Sequence, residues 1–258
     1  MKICGIFLVV SLFSTAFSDE TSDPYLLPKP SILQYPSEHN KVGGEEVNLY
    51  CTSWRFAAET NNLAPWSTIP AECADYVKDY VMGRSYSTDL ERVSEEASIF
   101  ASSVEFSGDG KDIWVFDIDE TLLSNLPYYI DHGFGGVAPA IAPSLKLYQR
   151  VVDLGYKIFL LTGRKRATGL SLLKTSSMLV SRTGTSSFSG ILGHSYKQML
   201  SPDELHKMAT LYKSEKRDEM VKEGYRIRGN SGDQWSDLLG SSMSQRSFKL
   251  PNPMYYIP

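Results

Sequence analysis

The chain has 258 residues, 42% of them hydrophobic, and a formal net charge of −4, enough for one substantial α/β core with an extension. The acidic balance, 30 carboxylates against 26 basic side chains, argues against a nucleic-acid surface and leaves small-molecule chemistry open. His39, His132, His194 and His206 are scattered and lack ligand spacing, which argues against a zinc site.

In chain order, Met1-Lys2 precedes an apolar stretch, Ile3 to Phe17, and Ala16-Phe17-Ser18 places small residues two apart before Asp19. This predicts a cleaved signal peptide over residues 1–18 and a secreted or vacuolar product; the stretch is short and wrongly flanked for a membrane span. Residues 19–108 read as an N-terminal extension: a Pro/Ser/Asp-rich segment to about residue 45, then three helical patterns. The first two carry Val47, Tyr50, Cys51, Trp54, Ala58 and Cys73, Tyr76, Val77, Tyr80 on apolar faces. The third starts near Ser87 or Thr88 and carries Leu90, Val93, Ala97, Phe100, Ala101 and Val104. With Cys4 lost in the signal, Cys51 and Cys73 remain. An even pair in a secreted chain suggests a disulfide, with two buried thiols as the alternative. No Asn-x-Ser/Thr site occurs, so N-glycosylation is not expected.

Gly108 to Lys111 is a turn into a core of residues 109–258. Ile113, Trp114, Val115 and Phe116 form an unbroken β-branched and aromatic run, as expected of a parallel strand covered on both faces. It delivers Asp117 and Asp119, followed by Glu120 and Thr121, to the carboxyl end of the strand, where open α/β sheets bind ligands. Two carboxylates that close are stable with a divalent cation between them or with one protonated. Alternatively, Asp, Glu and Thr there cap a following helix. A second strand is predicted over 157–161, ending in Thr162-Gly163-Arg164, whose hydroxyl and glycine backbone can hold a phosphate oxygen or simply make a turn. Lys213 precedes a charged helical run to Glu223, where a solvated lysine is the plain alternative. A third short strand, Tyr225 to Arg228, leads to Gly229-Asn230-Ser231-Gly232-Asp233 and Asp237, two carboxylates that face one site or a capped helix.

The ordered set DxDxT, Thr after an apolar strand, Lys, then GDxxxD resembles the haloacid dehalogenase superfamily of phosphohydrolases. The segments FDIDETLLSNLPYY, SLKLY, LLTGR, LYKSEKR, GNSGDQWSDLLG and KLPNPMYYIP, with Leu49 to Arg84, resemble plant class B acid phosphatases and vegetative storage proteins. The resemblance implies a Rossmann-like parallel sheet flanked by helices, with an N-terminal helical extension and a reduced cap. It implies Asp117 as nucleophile, forming an aspartyl phosphate, and Asp119 as general acid and then base. Mg²⁺ would be held by Asp117, Asp119 through its backbone carbonyl, and Asp233; phosphate would be held by Thr162, Gly163 and Lys213. Asp237 would orient Lys213 or support the metal shell, and the roles of Asp233 and Asp237 are interchangeable. The implied partners are small phosphate monoesters, with a homodimer open, and no nucleic acid or membrane is expected. The competing reading is a storage protein on the same fold, which can lose the nucleophile; here Asp117 is present.

Two stretches depart from that family. Between Tyr129 and Ser144 the segment after Gly133-Phe134-Gly135 is shortened, which removes cap residues. Lys165 to Pro202 is rich in Ser, Thr and Leu and contains no Asp or Glu, where the fold requires a helix and a strand. That pattern suggests a shifted reading frame or an alternative splice product, which an intact-mass measurement against the translated sequence would test.

Overall fold

The apolar run ahead of Asp117 becomes the middle of a sheet. In a computed structural model that describes residues 43–126, 139–165, 196–200, 204 and 206–258, strand β1 (Asp112–Phe116) is buried along its whole length. It pairs in parallel with β2 (Lys157–Lys165) on one side and β4 (Arg226–Gly232) on the other. Strand β3 (Tyr196–Leu200) extends the sheet beyond β2, and β5 (Arg246–Lys249) extends it beyond β4, both in parallel. The order is β3-β2-β1-β4-β5, a Rossmann-like arrangement that carries the ends of β1, β2 and β4 to one edge.

Helices cover both faces, which is why β1 reads as a continuous apolar run rather than an alternating one. On one face, helix α3 (Arg84–Ser103) contributes Ala97 and Ala101, and α4 (Ala142–Asp153) contributes Leu147, Tyr148 and Val151. They pack with Trp114, Phe116, Ile158, Leu160 and Phe248. On the other, α5 (Ala209–Lys222) sets Tyr212 and Met220 against Ile113, Val115, Phe159, Leu161 and Ile227. Helices α1 (Gly43–Glu59) and α2 (Ala74–Met82) build a second cluster with α3, joining Trp54, Ala58, Val77, Tyr80, Val81, Tyr86 and Leu90 to Ile141 and Leu250.

Cys51 and Cys73 are fully buried and form a disulfide, so the buried-thiol alternative fails. Cys73 sits in a short 3-10 turn, Ala71–Cys73, that leads into α2. Closing a separation of 22 residues is worth roughly 3 kcal/mol in the chain-entropy model. The expected apolar face of α1 is only half used. Val47 and Tyr50 are 41% and 50% exposed, whereas Cys51, Trp54 and Ala58, nearer the helix's C-terminal end, are buried.

Helix α3 begins at Arg84, a turn earlier than the pattern around Ser87 suggests. Strand β4 runs on to Gly232 through residues whose Gly, Asn and Ser content reads as loop. Neighbours on both sides supply its backbone partners, and position 229 must be glycine because a Cβ there would lie 2.5 Å from the Trp114 ring. Strand β3 supplies a strand from the anomalous Lys165 to Pro202 stretch. The remainder of that stretch, residues 127–138 of the shortened segment, and residues 1–42 with the leader lie outside the described residues. Among the described residues no helix is long and apolar enough to cross a membrane.

Candidate active site

Asp117 leaves the end of β1 with its N–H donated to the Ser231 carbonyl of β4 at 2.9 Å. The chain then doubles back instead of entering a helix. The Ile118 carbonyl accepts from Leu122 N at 3.0 Å and Leu123 N at 2.9 Å, and Glu120 adopts a φ of 53° and donates its N–H to the Leu123 carbonyl at 2.7 Å. A non-glycine residue in the left-handed region is uncommon and is held here by that closed turn. The capping alternative for Asp, Glu and Thr therefore fails locally. Thr121 Oγ1 donates to Asp233 Oδ1 at 3.2 Å, and the fully buried Glu120 carboxyl accepts from Asn125 N at 2.9 Å and Ser124 Oγ at 3.1 Å. Burial pushes the Glu120 carboxyl up to about 7, with Asp233 adding to the rise while the Asn125 and Ser124 donors oppose it.

Lys213, buried on the second turn of α5, joins two elements. Its ammonium donates to Asp117 Oδ1 at 2.7 Å and to Asp237 Oδ1. Burial acts against its charge, but Asp117 and Asp237 outweigh it and raise the pKa, so the lysine is a cation here. Asp237 lies in the short helix α6 (Trp235–Leu238) after β4, and its Oδ2 accepts the Gln234 N–H at 2.9 Å, which closes the first turn. A Cβ at position 232 would sit 2.4 Å from that of Asp237, so glycine there is what lets the aspartate fold back on the strand.

Asp233 is held differently. Its Oδ2 accepts from Gln234 Nε2 at 2.9 Å and from Asn252 Nδ2 at 2.7 Å. Burial raises its pKa to about 6, and Asp237 pushes it the same way. Asp117 is raised well above the usual carboxylate range by burial, with Lys213 opposing and Asp237, Asp233 and Asp119 reinforcing the rise.

Asp117, Asp233 and Asp237 each offer an oxygen within 4.8 Å of one another, all three residues buried. An excess of hard oxygen donors over nearby positive charge suits a divalent cation. Asp119 is half-buried beside this group, accepting from Asn125 Nδ2 at 2.9 Å and from Thr162 Oγ1 at 3.3 Å. Strand β2 runs on to Lys165, past the predicted end at 161, so Thr162 is buried within it; Gly163 is exposed, with no atom within 4 Å of a Cβ built there. The sequence candidates Asp117, Asp119, Thr162, Gly163, Lys213, Asp233 and Asp237 thus come from four separate segments and meet at one sheet edge. The geometry distinguishes the last two aspartates, since Asp237 contacts the lysine and Asp233 is held by uncharged donors.

Sequence reasoning missed the supports. Arg217, fully buried, donates to the carbonyls of Asp237 at 2.6 Å, Leu239 and Ser241, and so fixes the α6 turn. It lies four residues after Lys213 on the same helical face, and that spacing was the available signal. Asn230 Nδ2 reaches the same Asp237 carbonyl at 2.8 Å. Asn125 and Asn252 carried no local signal of their roles.

The model of HAD superfamily subfamily IIIB (acid phosphatase) matches residues 37–258. Acid phosphatase 1 of Solanum lycopersicum is 49% identical, over 98% of this chain and 99% of that protein. Vegetative storage protein 2 of Arabidopsis thaliana is 33% identical over the whole of both chains, and a stem 31 kDa glycoprotein of Glycine max is 37% identical over 83% of this chain and 86% of that one. Among solved structures, the class C acid phosphatase from Bacillus anthracis superposes with a TM-score of 0.52 at 18% identity, covering 80% of this chain and 86% of that one; that likeness speaks to the fold. The chain belongs to the acid phosphatase family of HAD superfamily subfamily IIIB.

Proposed function

We propose that this chain is a Mg²⁺-dependent acid phosphatase that hydrolyses phosphate monoesters through an aspartyl phosphate on Asp117. One observation carries the reading: Lys213 spans Asp117 and Asp237 in a buried cluster that also contains Asp233. A lysine fixed between two aspartates holds the nucleophile's free rotation in check and places positive charge where phosphoryl oxygens gather negative charge.

Asp117 attacks phosphorus while the bond to the leaving oxygen breaks, and Asp119 donates its proton to that oxygen. Asp119 then takes a proton from the water that attacks the aspartyl phosphate, releasing inorganic phosphate and restoring Asp117. Thr162 and Lys213 hold the non-bridging oxygens, and the open space beside Gly163 leaves room for the phosphoryl group. Asp117, Asp233 and the Asp119 backbone carbonyl would hold the metal. Its chemistry is Lewis-acid neutralisation of phosphate charge and of the repulsion between carboxylates. Asp233 suits that role because its present partners are a hydroxyl and two amides, whereas both oxygens of Asp237 are engaged, one by Lys213 and one by the Gln234 N–H.

The protein travels the secretory route. Its disulfide needs an oxidising compartment, and two of its relatives are stem glycoproteins of Glycine max. The storage reading is kept alive by the vegetative storage protein relatives. The deciding experiment is hydrolysis of an aryl phosphate by the folded chain, with and without Mg²⁺, beside Asp117→Asn. Metal-dependent turnover lost in the variant supports the enzyme; a folded wild-type chain with no turnover leaves storage.

A further inference from the structure

The chain does not end where its sheet ends. After β5, Leu250 continues the ladder by donating its N–H to the Gly232 carbonyl at 2.9 Å, and its side chain is buried in the α1–α3 cluster. The tail then runs along the start of the Asp233 turn. Gln234 donates Nε2 to the Tyr255 carbonyl at 3.2 Å and accepts the Ile257 N–H at 3.0 Å, while the Pro258 carbonyl accepts from Thr210 N at 3.3 Å on α5, the helix that carries Lys213. In the middle of this path lies Asn252, 4% exposed, with Nδ2 on Asp233 Oδ2 at 2.7 Å and Oδ1 accepting Met254 N–H at 2.9 Å.

We propose that Asn252 is a positioning residue for the metal-binding carboxylate of Asp233, so that the C-terminal tail is part of the metal site; the inference rests on the metal reading above. Both ends of the Asn252 amide are engaged, one by the tail's own turn and one by Asp233, which leaves the side chain little freedom. Its donor and that of Gln234 both fall on Oδ2, whereas Oδ1 carries the Thr121 hydroxyl and retains an open lone pair. The carboxylate is thus fixed by one oxygen while the other keeps capacity for an ion. An amide is the right chemistry for this, because it orients the carboxylate without cancelling the charge the ion needs. A lysine or arginine at 252 would compete with the cation instead. Loss of a support of this kind typically costs about 10–100-fold in metal affinity or activity.

The test uses the intact protein, with Mg²⁺ binding followed by calorimetry on the metal-free form and, separately, by the Mg²⁺ dependence of aryl phosphate hydrolysis. Asn252→Leu, nearly isosteric and without a donor, is expected to weaken Mg²⁺ binding about 10–100-fold while the rate at saturating Mg²⁺ changes by no more than about threefold. Leu250→Ala is the companion: it removes the tail's side-chain packing in the α1–α3 cluster but keeps the Leu250 backbone bond to Gly232 and the Asn252 amide, so it lowers the melting temperature and weakens Mg²⁺ binding less than Asn252→Leu does. If Asn252→Leu does not fold, Asn252→Ser takes its place, since its hydroxyl is too short to reach Asp233. Unchanged Mg²⁺ affinity in the Asn252 variant overturns the proposal, as does equal weakening in Leu250→Ala. A wild-type protein that binds no Mg²⁺ removes the metal reading itself, and with it this inference; that result differs visibly from one in which wild type and variant bind alike.

Discussion

Strand β1 has a buried aspartate at each end, and the two live under opposite rules. Asp112, at its start, accepts from the N–H of Ser107 at 2.9 Å and from two guanidinium groups, Arg226 at 3.0 Å and Arg228 at 2.7 Å. Burial alone would raise its pKa, but Arg226, the Ser107 amide and Arg228 together bring it down to about 2. Asp117, just past the strand's end, shares one lysine with Asp237 and is pushed up by burial and three acidic neighbours. Equal burial with unequal compensation separates a brace from a reactive site. The first end is complete in charge, while the second is short of positive charge by about what a divalent ion supplies.

The contrast is broken most sharply by removing each carboxylate. Asp117→Asn keeps an acceptor for Lys213 and deletes the proposed nucleophile, so hydrolysis of an aryl phosphate should fall by on the order of 10³-fold or more. The same substitution removes one negative charge from a crowded cluster, so thermal unfolding of the metal-free protein should shift upward. A variant that keeps wild-type turnover would place the nucleophile elsewhere. Lys213→Met comes next, with an expected loss of about 10²–10³-fold in kcat as the fixed charge on the phosphoryl oxygens goes. Steady-state kinetics at saturating Mg²⁺ measures it, and an effect confined to KM would mean that the lysine only helps substrate to bind.

At the other end of the strand, Asp112→Asn should leave kcat unchanged and cost stability. A carboxyl depressed to about 2 in the folded protein stabilises it at pH values above the ordinary carboxylate range, and this is lost as pH falls through about 2. The variant should therefore be about 2 kcal/mol less stable at pH 7, with the gap to wild type closing between about pH 4 and pH 2. Urea unfolding at a series of pH values reads this directly. A gap that widens on acidification would contradict the assignment.

How much of this was legible in the sequence depends on the reach of each interaction. The run Ile113–Phe116 announced a doubly covered strand because its burial is written in consecutive residues, and Asp117 and Asp119 stood out at its end; Thr162, Lys213 and Asp233 each had a plainer local reading and were picked out by the order of motifs that resembles the family. The brace at Asp112 was invisible, since its partners Arg226 and Arg228 are more than a hundred residues away and arginines in a short strand read as surface. Strand β5, four residues long with only Phe248 buried, carries too little periodicity to declare itself. It matters because it directs the C-terminal tail so that Asn252 meets Asp233. The split between Asp233 and Asp237 was likewise undecidable from GDxxxD, as it depends on which carboxylate Lys213 reaches from another helix.

The smallest expected effect tests whether the reactive end is also held by uncharged supports. Asn125 donates to Asp119 Oδ1 at 2.9 Å, and its backbone N–H closes on Glu120 at 2.9 Å. Asn125→Ala keeps the backbone contact and removes the side-chain one, so the turn should survive while Asp119 gains freedom to rotate. If Asp119 protonates the leaving oxygen, the penalty depends on how much that oxygen needs a proton. An aryl phosphate with an acidic phenol leaves with little help, so its kcat should fall only a few-fold; an alkyl phosphate, whose alkoxide must be protonated as it departs, should lose about 10-fold or more. Comparing kcat on the two substrates separates the acid role from general loosening, because a distorted site would slow both equally. Equal losses on both would detach Asn125 from proton transfer and leave it as a brace like those around Asp112.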